Sequence, residues 1–350
     1  MFERHPRAAV GWSKSHIFLV EVRHTRQLQG LELPARAWET QVLPARIARY
    51  DPTDLESLCL AGEVVWGRLK TDAPADEEAG PRRAKPTRAA PLAFVLREDL
   101  RWLLAPAAPG GPGELPAAAA AVLSHLEHHG ASFLSDIARA TGLLPTAVEE
   151  ALWTLVARGL VTGDGVAGLR ALLRPEAEHR TRRLRALRGG RARLVPTGRW
   201  ALLRTGAVEA PAVVDATAWA RQLLARWGVV LRELCARETR VPPWRALLAA
   251  FRRLEARGEI RGGRFVAGLV GEQFALPEAI EALRAVRRRR EGPETVVVAA
   301  ADPLNVSGIL VPGPRIPPPA REVVAFRDGA VAETGELGAV LSRMRRAGSA

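Results

Sequence analysis

One spacing of apolar residues returns three times along the chain: an apolar residue, two others, leucine, three others, glycine, one other and a β-branched residue. The copies are Leu55, Leu58, Gly62 and Val64; Leu152, Leu155, Gly159 and Val161; and Phe251, Leu254, Gly258 and Ile260. Side chains seven and four positions before a glycine share one face of a helix. The glycine can take the left-handed conformation that ends it, and the apolar residue two further on can enter a strand. This is the join between the last helix and the hairpin of a winged helix.

A matching first half precedes two of the copies. Val122, Leu123 and Leu126 lead to Gly130, then Phe133, Ile137 and Ala138; Leu223 and Leu224 lead to Gly228, then Val229, Val230, Leu234 and Cys235. Gly130 precedes Leu152 by 22 residues and Gly228 precedes Phe251 by 23, which accommodates a short strand, a helix and a turn before the last helix. The order is that of a winged helix within the helix-turn-helix class. Ser135 and Thr146 are the expected caps of the second and third helices of copy two. After Arg290 the pattern turns to short apolar runs, 296–300, 309–311 and 323–326, separated by proline and glycine, with Asp328-Gly329 as a hairpin signal.

The expected fold class is mainly α with small β wings (α+β), as tandem winged-helix domains followed by an incomplete β-domain. The expected boundaries are an unassigned segment over 1–26 and a divergent winged-helix module over 27–104. A linker over 105–116 leads to a second module over 117–173, and a basic arm or linker over 174–210 leads to a third module over 211–290. A truncated β-domain takes 291–350. Residues 71–91 read as a further connector, rich in proline, alanine and charge.

Composition alters this picture through the placement of charge. Arginine outnumbers lysine 48 to 3, which together with abundant alanine, glycine and proline suits the coding bias of a GC-rich genome. Such a bias would raise arginine everywhere. Instead residues 174–265 hold 21 arginines against 8 acidic residues, and the rest of the chain balances at 30 and 30, so the whole net charge of +13 lies in one stretch. A polyanion is the partner that such a stretch fits, and DNA is the one expected.

The third module carries the better recognition helix. Over 244–257, Trp244, Leu247, Leu248, Phe251 and Leu254 form one stripe, and Arg245, Arg252, Arg253 and Arg257 lie opposite with Ala246, Ala249, Ala250 and Ala256 between them. Small residues between guanidinium groups let a helix approach a groove closely, and arginine offers paired donors to phosphate or guanine. Arg261 and Arg264 extend the charge onto the wing, and Arg182 and Arg183 onto the arm. The corresponding helix of the second module presents Glu149 and Glu150, which would repel phosphate, so that module is expected to be architectural. Trp38, Trp66 and Trp102 are assigned to the core of the first module.

Much chemistry is absent from the pattern. Cys59 and Cys235 are far apart with no CxxC partner, and His125, His128 and His129 sit together at a predicted helix end, so neither disulfide nor metal is expected. No phosphate loop, serine elbow, zinc-protease helix or deaminase motif occurs, and no catalytic residue or cofactor is assigned. Without an apolar membrane-length run or a signal peptide, the expected location is cytoplasmic, with no membrane partner.

Several stretches resemble consecutive segments of the large helicase-related (Lhr) family: residues 28–52 with 58–69, 129–162, 198–203, and above all RFVAGLVGEQFALPEAIEALRA at 264–285 and VVVAAADPLNVSGILVPGPRIP at 296–317. The resemblance covers residues 27–331. It implies the C-terminal region of a DNA-repair translocase, in which tandem winged helices follow two ATP-hydrolysing RecA-like domains and precede a β-barrel. The motor motifs are not present, and beyond FRDGAV at 326–331 the chain leaves the family pattern, so the barrel is expected to lack its second half. The resemblance extends to winged-helix DNA glycosylases, for which Gln273 and Asp302 are the polar residues to test. A base-excising activity and a protein-interaction or oligomerisation scaffold are the alternatives to DNA binding. A separately encoded helicase core or self-association would supply the protein partner.

Overall fold

The structure, a computed structural model, describes residues 22–47, 49–69, 90–104, 114–172, 198–204, 214–238, 241–288, 294–316 and 322–347. Its main helices are α1 (Pro52–Leu60), α2 (Ala117–His129), α3 (Leu134–Thr141), α4 (Pro145–Ala157), α5 (Val166–Leu172), α6 (Ala216–Trp227), α7 (Trp244–Ala256), α8 (Pro277–Arg288) and α9 (Leu337–Ala347). The strands are β1 (Leu33–Pro34), β2 (Val64–Gly67), β3 (Pro91–Leu96), β4 (Ser132–Phe133), β5 (Val161–Gly163), β6 (Arg199–Leu202), β7 (Val229–Val230), β8 (Arg261–Gly263), β9 (Gln273–Ala275), β10 (Thr295–Ala299), β11 (Glu322–Arg327) and β12 (Ala330–Glu336).

The repeated spacing folds the same way three times. Gly62, Gly159 and Gly258 have φ of +78°, +67° and +76° and close α1, α4 and α7. In each case the amide after the glycine returns to the leucine of the repeat: Glu63 to Leu58 O at 3.0 Å, Leu160 to Leu155 O at 3.0 Å and Glu259 to Leu254 O at 3.1 Å. Only a residue without Cβ takes this conformation cheaply, which is why glycine recurs there. All nine apolar residues of the three copies are buried. Each copy closes with a three-stranded sheet of one order, β1-β3-β2, β4-β6-β5 and β7-β9-β8, with the first strand paired to the third.

By contact the chain divides into two units. Among the described residues, the first holds 22–36 and 49–204, and the second holds 37–47 and 214–347. Within the first unit, the two modules pack sheet to sheet through β2 and β5. Trp66, fully buried, donates from Nε1 to Gly165 O at 3.1 Å and meets the Trp200 ring edge-on at 6.1 Å, while Thr162 Oγ1 donates to Trp66 O at 2.6 Å. Trp66 therefore joins two modules rather than filling the first alone. Trp102 is half-buried and donates to Asp99 Oδ1 at 2.9 Å. Trp38, also buried, belongs by contact to the second unit.

Several expectations need correction. Arg199–Leu202, placed in the arm, is a strand of the second module, pairing Trp200 with Ser132 and Leu202 with Val161; the alternation of a four-residue strand was lost beside so many arginines. Ser135 and Thr146 cap nothing: α3 starts one residue earlier and α4 begins on Pro145, whose fixed φ suits the first helical position. The stretch after β7 is a 3-10 turn, Arg232–Arg237, where a helix was expected. The linkers lie largely, and the arm's Arg182 and Arg183 wholly, outside the described residues.

The C-terminal region does not close a barrel among the described residues. β10, β11 and β12 form an antiparallel meander, and α9, unforeseen, covers one face of it by packing Val340 with Val323 and Ala325, beside Val297 and Met344. The spacing of Leu337, Val340, Leu341 and Met344 was a readable helix signal. Among the described residues, no helix is long and apolar enough to cross a membrane.

Candidate nucleic-acid interface

The third module places its arginines as a rigid apolar backside dictates. On α7, Leu247, Ala250, Phe251 and Leu254 are buried, and the Phe251 ring stacks on Phe274 of β9 at 4.9 Å and lies tilted against Trp244 at 6.0 Å. Ala250 thus belongs to the buried side, not between the arginines as its sequence position suggested. With that face fixed, Arg245, Arg252, Arg253 and Arg257 emerge on the solvent side. Arg261 opens β8 and Arg264 follows it, both exposed.

Acidic residues are interleaved with these cations. Arg252 pairs with Glu272 of the wing at 2.9 Å, and Glu259 serves both Arg221 at 3.0 Å and Arg257 at 3.7 Å. Arg253 reaches Thr217 Oγ1 at 3.4 Å. Glu255 accepts from the amide of Gly262 at 2.9 Å, which pins the start of the wing to the helix. Side chains in these ion pairs are between about a third and two thirds exposed, so each pair contributes only about 0–1 kcal/mol and is easily exchanged for a phosphate. Six arginines against Glu255, Glu259 and Glu272 leave the face positive by three. Helical spacing does not show Glu259 and Glu272, which reach the face from the turn and the wing.

The wing is organised by Gln273. Its side chain is fully buried, accepts from the amides of Phe265 and Val266 at 2.8 Å each, and donates to Val266 O at 2.9 Å. Every polar atom is used in holding the loop, so this candidate for base chemistry is a structural clamp. Replacing Gln273 with leucine strands buried amides, at about 1–3 kcal/mol. The expected result is faster hydrogen exchange at Phe265 and Val266 with α7 still protected, as read by mass spectrometry or NMR.

Asp302 is likewise committed. Both its oxygens receive the Arg46 guanidinium, at 2.5 and 2.8 Å, its Oδ1 also accepts the Leu304 amide at 2.8 Å, and both side chains of the pair are almost wholly buried.

The other two modules present different faces. On α1, Glu56 pairs with Arg170 of α5 at 3.1 Å, and Arg170 also donates to Pro52 O at 2.7 Å, so part of that helix is engaged within its own unit. On α4, Glu150 is exposed and Glu149 half-buried. The histidines at the end of α2 are tied to the chain. His128 and His129 donate from Nδ1 to Ser124 O at 2.7 Å and His125 O at 3.1 Å. Ser132 gives its proton to Gly130 O and so accepts from His125 Nε2 at 3.2 Å. Partial burial, and then the neighbouring His129, hold the His125 pKa below its ordinary value.

Comparison with known proteins matches the first and third modules. Family models described as large helicase-related protein, winged-helix domain, cover residues 19–80 and 209–295. The chain is similar to the Lhr helicase/uracil glycosylase of Escherichia coli (strain K12), 31% identical over 322 residues, which are 85% of this chain and 20% of that protein. It is also similar to the Lhr helicase/probable uracil glycosylase of Mycolicibacterium smegmatis, 30% identical over 308 residues, 82% of this chain and 19% of that protein. The chain thus spans about a fifth of the length of these relatives. With its winged-helix order and two matched domains, the chain carries winged-helix domains of the large helicase-related type.

Proposed function

We propose that the chain is a DNA-binding, C-terminal winged-helix module of an Lhr-type repair helicase, contacting DNA through its third winged helix. The observation that carries this reading is the exposed set Arg245, Arg252, Arg253, Arg257, Arg261 and Arg264 on a helix and wing whose opposite side is a closed aromatic core. The first two modules are packed together through Trp66 and Trp200. Helicase action belongs to the longer relatives and needs ATPase motifs that these 350 residues do not contain. A helicase core is the part that would supply them.

Joint replacement of Arg245, Arg252, Arg253 and Arg257 by alanine is expected to flatten the slope of log affinity against log salt by roughly three to four, at about 0.9 for each phosphate neutralised. Filter binding or fluorescence anisotropy across a salt series reads this, and an unchanged slope removes the assignment.

A second reading rests on the relatives' names, which join helicase to uracil glycosylase. Incubating the chain with uracil-containing DNA and assaying abasic sites decides it. The bonds of Gln273 and Asp302 are those of structural groups, so neither is assigned a catalytic role in it.

A further inference from the structure

We infer that the tip of the third module's wing, Leu269 and Val270, is an apolar wedge that enters the base stack of the bound DNA. This rests on the DNA-binding reading and adds to it a mode of contact. Val270 is 87% exposed, the most exposed of the large apolar side chains among the described residues. Leu269 beside it is half-buried. The flanking Gly268 and Gly271 have φ of +80° and +103°, and a Cβ built on either would meet nothing within 4 Å, so the tip stands clear of the protein body. Its base is not loose: the Gln273 side chain makes three hydrogen bonds across the wing, and Glu255 holds the Gly262 amide.

An apolar residue held out in water by a braced hairpin lowers the free energy when a partner covers it. The surroundings define the cover. Arg261 and Arg264 on the wing, Arg245, Arg252 and Arg253 on α7 and Arg257 at its C-terminal end are all exposed, with Arg252 neutralising Glu272 next to the tip. The partner must therefore be anionic outside and apolar within. A nucleic-acid duplex has that arrangement, with phosphates on the rim and stacked bases inside, and apolar side chains that enter base steps unstack and kink them. An anionic membrane shares the charge pattern, but stable membrane attachment needs a much larger apolar face or a second anchor than two residues provide.

The test uses the full chain and duplex DNA carrying 2-aminopurine, whose fluorescence rises on unstacking. With the native chain, fluorescence should rise at saturation by about twofold or more, the mark of a disrupted base step. The double variant Leu269→Ser/Val270→Ser, its fold checked by an unchanged thermal melt, should abolish that rise and weaken binding by about tenfold or less, the worth of one or two apolar contacts. Its salt slope should match the native one because every arginine is retained. A native chain that binds with a steep salt slope yet leaves the probe dark overturns the wedge while sparing the DNA-binding reading, as does a double variant that brightens the probe as the native chain does. Absence of any salt-dependent binding overturns both. Val270-dependent co-sedimentation with phosphatidylserine vesicles, with no probe response, reassigns the tip to a membrane and overturns the wedge.

Discussion

Replacement of Asp302 by alanine is expected to destabilise the second unit by about 3–5 kcal/mol, because it leaves the guanidinium of Arg46 buried without its counter-charge. The two side chains are 2% and 3% exposed and joined by two hydrogen bonds, and Arg46 also donates to Val42 O at 3.0 Å. The pair ties residues 37–47 to the turn after β10, over a sequence separation of 256 residues, so its loss should release both segments together. Asp302→Asn keeps an acceptor for the Leu304 amide and should cost less. Arg46→Met/Asp302→Leu, which removes both charges and restores apolar volume, should cost less than the alanine variant alone. Urea unfolding of the four proteins measures this. If Asp302→Ala unfolds at the native midpoint but abolishes uracil excision, the aspartate is a chemical group and its structural assignment here is wrong.

The repeating part of the fold was open to sequence reading, since a glycine forced to positive φ and two apolar side chains on one face are local requirements that any copy must meet. Gly62, Gly159 and Gly258 announce three helix ends for that reason. What stayed hidden was non-local. Arg199–Leu202 enters its sheet only through pairing with strands 35 or more residues earlier, and nothing in the four residues distinguishes them from a basic arm. Trp66 reads as core by type, yet its neighbour is Trp200 of the next module. For the candidate site, the arginines of α7 follow from helical periodicity, whereas their partners Glu259 and Glu272 lie in turns whose direction periodicity does not encode. Gln273 and Asp302 are the polar residues that the glycosylase resemblance singles out for testing. Such residues are buried without a large cost only when fully bonded, and it is bonding to the backbone and to Arg46 that explains both.

The apolar side of α7 should matter to DNA affinity although it carries no charge. Phe251→Ala is expected to cost about 3–5 kcal/mol, from lost transfer energy and the cavity left against its neighbours. Part of that cost is the stack with Phe274 at 4.9 Å, an aromatic pairing worth about 0.5–1.5 kcal/mol beyond its area. That stack joins the helix to β9 and so to the wing, and without it the six arginines remain in the sequence but no longer share one frame. The alanine variant should therefore lose affinity as well as stability, whereas Phe251→Leu, which refills most of the volume, should lose less of each. The fourfold arginine variant should show the opposite split, its salt response lost and its urea midpoint nearly native, because exposed ion pairs contribute little to folding. Chemical unfolding and salt-dependent anisotropy on the same three proteins separate the two effects. A Phe251→Ala protein that is destabilised yet binds DNA as the native chain does would show that the arginines need no common scaffold, and the interface would then reduce to net charge alone.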